Sequence, residues 1–306
     1  MTFRTALIVR HMKLSRNKIF FLGLFFAFFL SHASSASDNK LKVVASIAPL
    51  ADFARQVGGD KVDVTLLLPP GASPHTYEPT PRTMQEISQA KIFIKIGAGL
   101  EFWADKLVAA AAKDVVTVDC SRGVALIHAH DHEKHGAGNV DPHYWLDPVI
   151  AIGMVKKIEE AYAKVDPADS SYFAQRASSY IAVLTALDKQ IAETVKTFRT
   201  REYVTFHPAW NYFSRRYGLT VAGVIEEGPG KEPTVRHIDR ILREIRRLKI
   251  RVVFAETQFS PRMAEAIARE AGGRVLMLDP IGGQKERVSY IGMMRYNLAL
   301  MKKAMG

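Results

Sequence analysis

Residues 167–198 read PADSSYFAQRASSYIAVLTALDKQIAETVKTF, thirty-two positions with no glycine and no proline after the first. Within them Phe173, Ala177, Tyr180, Leu184, Leu187, Ile191, Val195 and Phe198 recur at three- or four-residue steps. That is the spacing of one buried helix face. It predicts a single amphipathic helix of about 45 Å, with Asp166 as N-cap and Pro167 at the first position. On either side the pattern differs. Upstream, β-rich runs at 41–46, 62–68, 91–96 and 115–119 alternate with helical stretches at about 50–57, 83–89 and 102–112, and a further helix is expected over 149–164. Downstream, strands at 203–206, 219–225, 251–255 and 274–278 alternate with helices reaching Tyr217 and over 235–248, 262–271 and 288–304. Strand–helix alternation at this pitch argues for βαβ units and parallel sheets. The expected fold class is therefore α/β, with two lobes of helix-flanked parallel sheet joined by one long backbone helix. The expected divisions are 37–165, a linking helix at 166–199, and 200–306.

The chain has 306 residues, 48% hydrophobic and 24% charged, an ordinary globular composition too long for one usual core. Its formal charge of +11 is partly a property of the N-terminus. Residues 1–36 hold Arg4, Arg10, Lys13, Arg16 and Lys18 and no acid, which leaves 37 basic against 31 acidic residues, or +6, in the remainder. No polybasic tract there is long enough to follow a phosphate backbone, so nucleic acid is excluded as a partner. The same N-terminal segment has a basic flank, the apolar run Ile19–Leu30 and the small residues Ser34 and Ala36. These mark residues 1–36 as a signal peptide cleaved after Ala36. Twelve apolar residues rise only about 18 Å as a helix, too little for a spanning anchor. Met12 is a second candidate start. The single cysteine, Cys120, has no intramolecular partner. The mature chain is expected to be periplasmic, monomeric, free of disulfides and not membrane-spanning.

The ten histidines carry the chemical information. His75 lies in the proline-rich loop Leu68-Pro-Pro-Gly-Ala-Ser-Pro-His75-Thr-Tyr-Glu-Pro-Thr-Pro81 after a strand. His143 lies in Asp141-Pro-His143-Tyr-Trp-Leu-Asp-Pro148, ahead of a helix. His207 and Asp279 each end a strand and precede a proline. In open α/β sheets ligands bind in the crevice at the carboxyl ends of the strands. Two such ends facing each other would gather His75 and His143 from one lobe and His207 and Asp279 from the other. Three imidazoles and a carboxylate suit a divalent transition metal. Taken singly, each histidine reads first as a hydrogen-bonded loop residue and Asp279-Pro280 as a turn start; only the four together argue for a metal.

These segments, with Gly97-Ala-Gly-Leu-Glu-Phe-Trp103, Phe206-His207-Pro-Ala-Trp210 and Leu278-Asp279-Pro-Ile-Gly282, are similar in order and over nearly the whole mature chain to the zinc/manganese solute-binding proteins of bacterial ABC importers. The resemblance implies pseudo-symmetric lobes, one rigid backbone helix, and a metal in the cleft on His75, His143, His207 and Asp279, with water as the alternative at the fourth position. It implies delivery to an inner-membrane permease with a cytoplasmic ATPase. In this family His at the third position goes with zinc and Glu with manganese. Here it is His207, and imidazole suits Zn²⁺ while Mn²⁺ prefers oxygen. The run His128-Ala-His130-Asp131-His132-Glu-Lys-His135 resembles the histidine-rich loop of zinc-specific members and reads as an auxiliary metal-collecting segment.

The expected function is capture of Zn²⁺ without catalysis, with affinity falling below about pH 6.5 as imidazoles take up protons. The alternatives are a manganese or iron carrier, an exported adhesin or zinc buffer, and a zinc hydrolase. The hydrolase string His-x-His-x-Asp-His is one residue longer than 128–132, and no dinucleotide or phosphate-loop motif is present. Asp141 and Glu78 are candidates to orient a ligand imidazole, and Glu226, Glu227 and Glu256 to line the cleft. Arg236, Arg240, Arg243, Arg246 and Arg247 fall on the solvent side of an amphipathic helix, where they suit permease docking.

Overall fold

The computed structural model describes residues 40–111, 114–128, 140–226, 228 and 231–306. The signal-peptide reading and the expected metal-loop residues His130, Asp131, His132 and His135 lie outside the described residues. Among those described, no helix is long and apolar enough to cross a membrane.

The first half runs β1 Leu41–Ala45, α1 Ala48–Gly58, β2 Val62–Leu66, α2 Pro81–Gln89, β3 Ile92–Lys95, α3 Ala104–Ala111, β4 Val116–Asp119 and α4 Pro148–Val165. The helix α5, Ser170–Lys196, follows. The second half runs β5 Glu202–Thr205, α6 Asn211–Tyr217, β6 Thr220–Val224, α7 Val235–Leu248, β7 Val252–Glu256, α8 Arg262–Glu270, β8 Arg274–Leu278 and α9 Tyr290–Met305. Each half contributes a four-stranded parallel sheet, in the orders β2-β1-β3-β4 and β6-β5-β7-β8. The two orders are the same, so the expected two-lobed α/β architecture is observed. In each sheet the direction of winding reverses between its first and third strands, the point at which such sheets open a crevice.

The central strands are apolar on both faces, as parallel strands covered by helices must be. Val43, Ala45, Ile92 and Ile94 face one core, while Val44 and Phe93 between them face another. In the second sheet Tyr203, Val252 and Phe254 face the first of these cores, and Val204, Val253 and Ala255 face a third. The central cluster is thus continuous through both halves. It takes in one face of each sheet together with α1, α4, α5 and α9. Buried Asp52 on α1 reinforces the junction by accepting from the Tyr180 hydroxyl of α5 at 3.1 Å and the Tyr290 amide of α9 at 2.8 Å.

The long helix buries the residues its periodicity singles out, from Phe173 through Val195. Its start differs from expectation. Pro167–Asp169 form a 3-10 turn and the α-helix begins at Ser170, so α5 is about 40 Å long. Asp166 makes no side-chain cap; its backbone N–H donates to Tyr162 O and ends α4. The chain must reverse direction within a few residues to pack α4 on α5, and Asp166 serves the end of one helix rather than the start of the next.

Candidate metal centre

His75, His143 and His207 come together. The first reaches the site on the loop after β2, where Pro69, Pro70 and Pro74 limit the backbone ahead of it and Gly71 takes φ +85°. That positive φ is what favours glycine here, since a Cβ would meet only the movable end of the Gln284 side chain, at 2.7 Å. His143 precedes a short 3-10 turn, Tyr144–Leu146, whose side chains are fully buried, and this turn leads into α4, capped by the Asp147 carboxylate. His207 stands two residues beyond the end of β5, at the crevice end of the second sheet, with its ring 5.2 Å from that of Phe259.

The Nε2 atoms of His75 and His143 are 3.0 Å apart, and those of His143 and His207 are 3.3 Å apart. Ligand nitrogens of all three lie within 4.8 Å of one another. Zinc–nitrogen bonds of about 2.0–2.1 Å in a tetrahedron set neighbouring nitrogens about 3.3 Å apart. The observed spacing is that of a tetrahedral edge.

Carboxylates behind two of the rings determine what those nitrogens present. His143 Nδ1 lies 2.8 Å from Asp141 Oδ1, which also accepts the His143 backbone N–H at 2.9 Å. Asn211 of α6 donates to the other oxygen of Asp141 at 3.0 Å, so the second half of the chain helps to hold the carboxylate behind His143. His207 Nδ1 lies 2.5 Å from Oε2 of Glu256, the fully buried last residue of β7, as an ion-pair contact that is not aligned as a hydrogen bond. An imidazole that donates its Nδ1 proton to a carboxylate presents its Nε2 lone pair on the other side. Nitrogens facing each other at 3.3 Å repel as lone pairs unless a proton or a cation lies between them. The arrangement therefore attracts positive charge, and the Asp141 and Glu256 carboxylates strengthen that attraction.

Asp279 is not part of this cluster of three. It is fully buried after β8, and Arg287 Nε donates to its Oδ2 at 2.6 Å. Its Oδ1 accepts from the backbone N–H groups of Ile281 (3.1 Å) and Gly282 (2.8 Å) and from Gln258 Nε2 (3.1 Å). Both oxygens are engaged by the protein. Sequence reasoning did not reach Arg287, Gln258 or Asn211; the polar run Glu256-Thr257-Gln258 at a strand's carboxyl end is the one signal that pointed toward this wall of the site. Of the other candidates, Glu78 is exposed, and His128 is exposed and paired with Val140 in an isolated antiparallel bridge.

Residues 43–304 match the family described as ZnuA, zinc-uptake complex component A, periplasmic. The chain is 30% identical over 287 residues to the high-affinity zinc uptake system protein ZnuA of Bacillus subtilis (strain 168), covering 89% of this chain and 90% of that protein. It is 31% identical over 281 residues to the zinc-binding lipoprotein AdcA of Streptococcus pneumoniae serotype 4. That match covers 87% of this chain but 56% of AdcA, so the chain spans little more than half the length of the streptococcal protein. Among solved structures, a zinc-bound ZnuA deletion mutant superposes with a TM-score of 0.80 at 28% identity, over 88% of this chain and 99% of that one.

Proposed function

Since the chain belongs to the ZnuA family of periplasmic zinc-uptake components, we propose that it captures Zn²⁺ on His75, His143 and His207 and delivers it to an inner-membrane ABC permease driven by a cytoplasmic ATPase. We read residues 37–165 and 200–306 as the two lobes that meet at the ion, and 166–199 as the stiff connection between them. The leader at 1–36 exports the chain to the periplasm and is removed, and the mature protein acts as a monomer. The histidine-rich segment from His128 to His135 collects ions for the main site.

One observation carries the zinc reading: His143 and His207, each backed by a carboxylate, turn two Nε2 atoms toward each other at 3.3 Å. Three imidazole nitrogens, two pairs of them near tetrahedral spacing, suit zinc better than the oxygen-preferring Mn²⁺. Relatives named for zinc uptake and zinc binding support the same choice.

The test is a titration of metal-free protein with Zn²⁺ against a chromophoric chelator, repeated with Mn²⁺ and Fe²⁺ as competitors. One tight zinc equivalent is expected, weakened at least about a hundredfold by His207→Ala. Preferential manganese or iron binding would reassign the cargo, and the absence of any tight site would end the reading. Delivery is tested separately by deleting the gene. Growth that fails only when zinc is scarce supports import, whereas unaffected growth points to binding without a transporter.

A further inference from the structure

The cavity at the three histidines has an accessible volume of about 10 Å³, room for one small ion or water. Its walls include Gln258 and Phe259, from the loop after β7, and Pro280 and Ile281, from the loop after β8. Gln258 Nε2 donates to Asp279 Oδ1 at 3.1 Å. That contact determines which way the amide faces. Asp279 is paired with Arg287 and accepts two backbone N–H groups, so it is an acceptor and the amide must offer it nitrogen. The Gln258 oxygen is then the end of the amide not bound to Asp279. Oε1 is buried and has no hydrogen-bond partner among the described residues. Buried acceptors are nearly always paired, so an orphaned one at a cavity wall calls for a donor, such as an ordered water.

Asp279, the other oxygen donor near the site, is restrained. Arg287 holds its Oδ2 at 2.6 Å and in turn lies over the Tyr296 ring at 4.5 Å. To reach a cation, the carboxylate would have to leave a buried ion pair. Its charge is also cancelled locally by Arg287, so Asp141 and Glu256 are the acids whose charge is left for the ion.

We propose that Gln258 Oε1, oriented through its own amide nitrogen by Asp279, accepts a hydrogen bond from the water that completes the coordination of a divalent cation on His75, His143 and His207. Gln258 is then a positioning residue, and Asp279 serves the site as its anchor rather than as a ligand. This rests on the zinc-binding reading above.

The test uses Gln258→Met, close in size but without the acceptor and without the amide donor to Asp279, alongside the wild-type protein. Zinc affinity, measured by chelator competition, is expected to fall about tenfold or more. The visible absorption of the Co²⁺-loaded protein should change shape, while the melting temperature of the metal-free protein falls by no more than the loss of one hydrogen bond to Asp279 accounts for. A crystal structure of the zinc-loaded wild-type protein should place Oε1 at hydrogen-bond distance from a zinc-bound water, with Asp279 still on Arg287. Unchanged affinity and spectrum overturn the proposal. So does a fall in affinity with an unchanged Co²⁺ spectrum, or an Asp279 carboxylate found on the zinc. If wild-type protein binds no zinc, the zinc reading itself has failed; if it binds zinc through the histidines and Gln258→Met is silent, only the role of Gln258 has.

Discussion

The indole Nε1 of Trp145 donates to the carbonyl oxygen of Pro280 at 2.7 Å, both residues buried, and joins the turn that carries His143 to the loop after β8. The Trp145 ring also lies 5.3 Å from the His143 ring, and its backbone carbonyl accepts the Tyr290 hydroxyl at 2.7 Å. One residue thus ties the turn that carries His143 to two second-half elements. Trp145→Phe should leave the Pro280 carbonyl without its donor and cost about 1–3 kcal/mol. Thermal unfolding of the metal-free protein measures this, and a melting temperature equal to that of wild type would show that the contact contributes nothing.

The carboxylates behind the imidazoles should tune affinity without touching the ion. Asp141→Asn and Glu256→Gln keep the shape and remove the charge facing His143 and His207. Each is expected to weaken zinc binding by about 10–100-fold. Competition titrations on the two variants, with circular dichroism to establish folding, test this directly; wild-type affinity in both would mean that the imidazoles orient without them.

Leu184 on α5 is fully buried in the core shared by both halves, whereas its neighbour Val183 is 45% exposed. Leu184→Ala should destabilise by about 2–5 kcal/mol, and Val183→Ala by less than about 0.5 kcal/mol. Because the core is continuous, the loss from Leu184→Ala should lower one transition rather than split unfolding into two. Two resolved transitions in a calorimetric scan would mean that the halves unfold separately.

Asp188 on α5 accepts from Arg216 Nε (2.7 Å) and Nη2 (2.8 Å) and from the Tyr217 hydroxyl (2.9 Å), which ties the long helix to α6. The Arg216 and Tyr217 hydrogen bonds hold its carboxyl below the usual aspartate value despite its partial burial. A carboxylate lowered in the folded state contributes stability that is present above its unfolded value, about 3.9, and is lost as pH falls through the folded value. Asp188→Asn should therefore be less stable than wild type at pH 7, with the gap closing below about pH 4. Urea unfolding at pH 7 and pH 3 measures both; an equal difference at the two values would rule out the charge as the source.

Local pattern was sufficient for most of the fold. Strict alternation of faces along Val43-Val44-Ala45 and Val252-Val253-Phe254-Ala255, and three- to four-residue steps along α5, are properties of covered strands and helices that no distant contact needs to supply. The start of α5 was not legible, because Asp166 and Pro167 answer to the packing of α4 on α5 and to the end of the preceding helix.

By itself the sequence determined the two α/β halves, the helix between them, and which imidazoles end up at the sheets' crevice ends, since each sits on a proline-stiffened loop a few residues from a strand or a helix start. Only the tertiary structure decided which acids serve them. Asp279 stands at a strand end as His207 nearly does, yet Arg287 lies eight residues further on and draws its carboxylate into an ion pair. Glu256, on a neighbouring strand, is brought to His207 by the pairing of β5 with β7. Spacing along a chain places a residue at an edge; the direction in which a charged side chain turns is determined by which opposite charges and hydrogen-bond donors the fold brings within reach.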